Sequence, residues 1–122
     1  MAIPTRLMGS GLGSAASLNI CGDVTNSITA AGTTNADATQ LNSVINNVTT
    51  TALNTGVKLF TAEVGSSVVV SNQGANALLV YPAASGQINA LTATTGGFSV
   101  GAGKTVILFG VSGTNWVTNL SA

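Results

Sequence analysis

Three stretches of this chain are apolar at every position: Val68-Val69-Val70, Leu78-Leu79-Val80 and Val106-Ile107-Leu108-Phe109. Successive side chains of a strand face opposite sides of its sheet, so strands like these need cover on both faces. Turn formers bound them: "NQGAN" separates the first two, Pro82 stops the second, and "GAGK" introduces the third. In a chain of 122 residues one face can meet a core. The other needs a neighbouring subunit or an extended segment of chain.

The remainder of the sequence repeats this alternation of strand and turn. It holds 17 Thr, 13 Val and 6 Ile, β-branched residues that suit a pleated surface. Turn clusters recur at "AAGTTNAD", "LNTG", "AASGQ", "TTGG" and "SGTN". The pattern predicts strands over 24–30, 44–51, 57–62, 67–72, 77–82, 97–100, 105–111 and 115–120. The stretch "ADATQLNSVINN" also allows a short helix, with Asp37 in its first turn. No fixed period recurs, so a compact fold is expected rather than a solenoid. The predicted class is all-β, a compact β-sandwich or barrel of jelly-roll-like form spanning residues 21 to 122. Residues 1 to 20, with "GSGLGSAAS", read as an extended N-terminal arm. The apolar residues Ile3, Leu7, Met8 and Leu12 suit an arm that lies against another chain.

Charge narrows the function. Asp, Glu, Lys and Arg make up 5% of the residues and sum to zero, against about 25% in ordinary soluble domains. The six are Arg6, Asp23, Asp37, Lys58, Glu63 and Lys104. A neutral surface favours association, and the deficit reads as a surface that faces other protein chains. Three scattered cations do not make the footprint for a nucleic acid or an anionic membrane, so neither is an expected partner. Asn, Gln, Ser, Gly and Pro interrupt every apolar run before the ~20 residues of a membrane span. The start of the chain lacks the continuous apolar core of a secretory signal.

Motifs that suggest chemistry are incomplete. "GAGKT" at 101–105 ends like a phosphate-binding loop, but the position of its first glycine holds Phe98 and the residues after it continue as a strand. "GSGLGS" at 9–14 has Ser14 where a dinucleotide fingerprint wants glycine. With no histidine and a single cysteine, Cys21, zinc and copper lack ligands and a catalytic thiol lacks its base. Asp23, Asp37 and Glu63 read as turn, cap and strand-end charges rather than a hydrolytic pair. "NVT" at Asn47 and "NLS" at Asn119 match glycosylation sequons, which matter only on a secretory route. The expectation is a non-enzymatic chain with no catalytic residue, cofactor or metal.

Three segments carry a resemblance: "MAIPTRLMGSGL", "NTGVKLFTAEVGSSVVVSNQGANALLVYPAASGQIN" and "FSVGAGKTVILFGVSGTNWV". They resemble the small head-decoration, or cement, proteins of tailed bacteriophages, and related β-modules of phage fibres. The most specific piece is V-x-N-x-G-x-N-x-L-x-V-Y-P, from Val70 to Pro82. The resemblance implies a virion structural protein on the outer surface of the capsid head, a homotrimer whose arms staple major capsid proteins together. Within it, Ile3, Arg6, Leu7, Met8 and Leu12 are the expected capsid-contact arm. Val68, Val70, Leu79, Tyr81 and Trp116 are expected as core or trimer contacts, two roles the sequence leaves unseparated. The competing reading is a fibre, spike or tail-associated module binding a host-surface glycan, with Trp116 as the stacking platform. A surface-binding sheet of Thr rows is a further one, although "TTT" at 49–51 and "TATT" at 92–95 form no periodic ladder.

Overall fold

The computed structural model describes residues 8–11, 13, 14, 16 and 22–122. From Gly22 onward it consists of strands, turns and loops. Ten strands form two mixed sheets. The strands are β1 Val24–Thr29, β2 Thr39–Gln40, β3 Ile45–Thr50, β4 Gly56–Lys58, β5 Ser67–Asn72, β6 Leu78–Tyr81, β7 Gln87–Ile88, β8 Phe98–Val100, β9 Thr105–Gly110 and β10 Asn115–Leu120. Six lie in one sheet, in the order β1-β3-β5-β9-β10-β7, and four in the other, in the order β2-β4-β6-β8. The chain is therefore the all-β sandwich its turn-punctuated strands predict.

Its winding is not that of a jelly roll, which is antiparallel. The first six strands alternate between the sheets, and from β3 to β6 each pairs in parallel with the strand two before it. Only then does the chain turn back, with β8 antiparallel to β6, β9 to β5 and β10 to β9. This opening half is a short coil without a sequence repeat. Val24 pairs with Ile45 and Ile45 with Val69, so successive coils differ in length and leave no period.

The core fills the space between the sheets. Val48, Val68, Val70, Val106, Leu108 and Trp116 come from the six-stranded sheet, and Val57, Leu78, Val80 and Val100 from the four-stranded one. These positions alternate along their strands, as the pleat requires. Phe60 meets the edge of Trp116 at a centroid distance of 6.0 Å and an interplanar angle of 76°, a favoured T-shaped arrangement. Burying this cluster is the main favourable contribution to folding.

Two expectations change. No helix forms over "ADATQLNSVINN", whose residues make a turn, β2 and the start of β3. Asp37 instead closes the turn: its Oδ1 accepts hydrogen bonds from the Thr34 N–H at 2.8 Å, the Thr34 hydroxyl at 2.8 Å and the Thr33 N–H at 3.1 Å. Aspartate competes for backbone donors in this way wherever a turn offers them. The strand expected over 57–62 is β4 alone. Beyond Lys58 the chain leaves the ladder, and Leu59 and Ala62 drop into the core.

Candidate functional site

The most specific piece of the resemblance, Val70 to Pro82, contains a structural lock. Asn72, fully buried, ends β5. Its Nδ2 donates to the carbonyls of Asn76 at 2.8 Å and Val100 at 2.9 Å. Its Oδ1 accepts from the Thr51 hydroxyl at 2.9 Å and the Gly74 N–H at 3.0 Å. One side chain thus closes the 73–77 turn and joins the six-stranded sheet to β8 of the other. Asn76 adds a bond from its Nδ2 to the Thr51 carbonyl at 2.9 Å. "GAGKT" belongs to the same lock as the β8–β9 connection: the Gly103 N–H donates to the Asn72 carbonyl at 2.8 Å, and the Asn72 N–H to the Lys104 carbonyl at 2.9 Å. The Gly103 N–H, bonded to Asn72, is therefore not turned out toward a phosphate.

The residues expected as core or trimer contacts now separate. Val68 and Val70 are fully buried, Trp116 is 1% exposed and Tyr81 5% exposed, all within a single chain. Trp116 therefore presents no stacking surface for a sugar. Leu79 is half-buried on the outer side of the four-stranded sheet. Of the arm residues, Met8 is exposed, and Ile3, Arg6, Leu7 and Leu12 lie outside the described residues. So does Cys21.

Around Tyr81, the outer face of the four-stranded sheet is covered by its own chain. Tyr81 projects there, because its neighbours Leu78 and Val80 point into the core. Its ring lies across β4 and the approach to β8: a Cβ at Gly56 would sit 2.7 Å from Tyr81 Cε2, and one at Gly97 3.0 Å from Cε1. Only glycine leaves room for the ring at Gly56. The Tyr81 hydroxyl donates to the Thr33 carbonyl at 3.1 Å, and the Asn35 amide donates to the Pro82 carbonyl. The Asp37 turn thereby straps the face. Hydrogen bonds from Thr34, first its N–H and then its hydroxyl, hold the Asp37 carboxyl below its ordinary pKa.

The outer face of the six-stranded sheet is different. Strand register places Val24, Ile45, Val69 and Ile107 in one row across β1, β3, β5 and β9. Phe109, on the same side of β9, pairs with Val117 of β10. Val24 is 61% exposed, Phe109 43% and Val117 41%. Ile45, Val69 and Ile107 are half-buried. None of the six strands carries a charged residue. Around the apolar centre lie Asn26, Asn47, Ser67, Ser71, Thr105 and Asn119. Asn47 donates to Asn26 Oδ1 at 2.7 Å, and its own Oδ1 is buried without a partner.

This patch has a signal in the sequence. Ser67 and Ser71 share the parity of Val69, and Thr105 that of Ile107 and Phe109. Polar residues at the same parity mark the side of a strand that faces away from the core. Val69, Ile107 and Phe109 thus belong outside, and Val68 and Val70 inside.

A second feature is polar. An open depression of about 450 Å³ beside the four-stranded sheet is lined by Asn35, Gln40, Asn42, Lys58, Phe60 and Thr61, among others. No carboxylate, cysteine or histidine lines it. Among the described residues, no three metal-ligating side chains gather around a common point. Nor is any helix among them long and apolar enough to cross a membrane. No protein-family model matches the chain, nor does any curated protein or solved structure.

Proposed function

We propose that this chain is a structural protein of a phage virion that decorates the outer surface of the head as a homotrimer and stabilises the mature shell. The observation that carries the reading is the charge-free apolar face of Val24, Ile45, Val69, Ile107, Phe109 and Val117 on a sandwich locked by Asn72. The similarity of three segments to cement proteins supports it, as does the near absence of charge along the whole chain. A rigid domain of this kind acts by binding. If it binds the assembled shell and not the free subunits, each occupied site adds its binding free energy to the stability of the shell. The partner is the major capsid protein. Residues 1 to 13 are the contacting arm, with Arg6 as its only charge. No covalent chemistry is part of this role.

The fibre reading placed its sugar-stacking surface at Trp116, and the buried position of that residue weakens it.

The deciding experiment counts the chain against the major shell protein in purified phage particles by quantitative mass spectrometry. Copy numbers comparable with the shell protein are expected. A handful of copies per particle would move the chain to a fibre or the neck, and absence would end the virion reading. Deleting residues 1 to 13 is expected to abolish shell binding while the oligomer persists. Full-affinity decoration by the truncated chain would remove the arm from the mechanism.

A further inference from the structure

The outer face of the six-stranded sheet needs a partner, and four properties of the molecule point to the same one. The first is charge. A carboxylate or ammonium group on a foreign surface would find no counter-ion among these six strands. A copy of this neutral face brings no charge to desolvate and no like charge to repel.

The second is the state of the sheet edges. Edge strands are where β-proteins associate by accident, and natural ones blunt them with bulges or keep them short. Here β1 is broken between Thr25 and Thr29 by register shifts, with Ser27 at a positive φ of 58°. The other three edges, β7, β2 and β8, have two, two and three residues. Association through the edges is obstructed on every side, while the face stays open.

The third is anatomy. An apolar centre holding a phenylalanine, ringed by amides and hydroxyls, has the build of a protein–protein interface, whose centre is depleted of charge. The fourth is size. Five six-residue strands at ~4.8 Å spacing and ~3.3 Å per residue span ~24 by ~20 Å. That is a footprint of ~480 Å², at the low end of what each partner contributes to a specific interface.

We infer that the outer face of the six-stranded sheet is the self-association surface, turned toward the oligomer axis so that it meets the same face of the other copies of this chain through Val69, Ile107, Phe109 and Val117. The inference rests on the homotrimer reading and adds where its contact lies. The four-stranded sheet, strapped by its own loop, then faces away from the contact.

The test compares the full-length chain with Phe109→Glu and, as a control on the opposite outer face, Ser99→Glu. Both positions are exposed, so circular dichroism and melting are expected to show folded proteins. In sedimentation velocity, the parent chain and S99E should run as the same oligomer. F109E should run as a monomer, its association weakened at least ~100-fold by like charges brought together in a desolvated contact. An F109E that sediments like the parent overturns the assignment, even if that variant no longer binds shells. A monomeric parent chain overturns both the assignment and the homotrimer reading. Hydroxyl-radical footprinting of the unmodified chain gives a readout that does not depend on the variant folding. Phe109 oxidation should be suppressed in the oligomer and restored on dilution, and equal labelling in both states overturns the assignment.

Discussion

The two outer faces of this sandwich meet the same problem in opposite ways. Each sheet has apolar residues on the side away from the core, where water would otherwise meet them. On the four-stranded sheet the chain covers the side itself: Tyr81 lies over Gly56 and Gly97, and the 31–38 loop holds it down through Thr33 and Asn35. On the six-stranded sheet the row from Val24 to Ile107, with Phe109 and Val117, stays partly open to solvent. Apolar residues on the outer side of a sheet thus meet two ends within one domain, one covered by the chain itself and one left partly open to solvent. A self-covered face should be sensitive to any change in its fit, and an open face should tolerate change until a partner arrives.

Substitutions separate the two cases. The largest effect is expected where the sheets are joined. Asn72→Ala removes four side-chain hydrogen bonds, one of them to the buried Val100 carbonyl. A loss of about 3 kcal/mol or more is expected in urea denaturation. A loss under about 1 kcal/mol would mean that the lock is redundant.

Gly56→Ala tests the self-covered face directly. Its new methyl would stand 2.7 Å from both the Leu79 carbonyl oxygen and the Tyr81 ring. Overpacking of this kind costs about 1–3 kcal/mol, and the melting temperature should fall accordingly. An unchanged melting temperature would show that the ring is not clamped.

Tyr81→Phe keeps the ring and deletes only the bond to the Thr33 carbonyl. A loss of about 1 kcal/mol is expected, together with faster amide exchange in the 31–38 loop. Loop exchange that does not change would uncouple the strap from the ring.

The smallest effect is electrostatic. The Asp37 carboxyl is held below its ordinary pKa of 3.8 by the Thr34 and Thr33 donors. A group with a depressed folded-state pKa contributes stability that is full above its unfolded value and lost as pH falls through its folded value. The strap should therefore loosen below about pH 3.8. Asp37→Asn should flatten that part of the acid profile and leave neutral-pH oligomerisation untouched. If the variant and the parent chain show the same acid profile, the Asp37 turn has no part in holding the face.

Most of the strands were legible because their signals are local. Alternation, β-branching and turn residues act within a few positions, and the 67–72 and 115–120 spans match β5 and β10. The two-residue strands β2 and β7 left no such signal, because pairs this short are made by their neighbours rather than by their own pattern. The misplaced end of the 57–62 span has the same origin: Leu59 and Phe60 are apolar enough for a strand, but they serve the core from a loop.

The candidate site was legible in kind and not in place. Runs apolar at every position announce two covered faces, and "NQGAN" announces a turn. That Asn72 would reach Val100, or that Tyr81 would settle into the space over two glycines, depends on groups distant along the chain.

The sequence by itself determined the all-β class, the strand and turn alternation, and a surface almost without charge, because each follows from residue type and near-neighbour spacing. Tertiary structure alone decided the parallel opening coil, the four hydrogen bonds of Asn72, and which of the two outer faces the chain covers. These depend on contacts between segments far apart in sequence, such as Ile45 with Val69 and Tyr81 with Thr33. The entropy lost in closing such loops is regained only when the whole sandwich packs together, so no local stretch of residues can encode them.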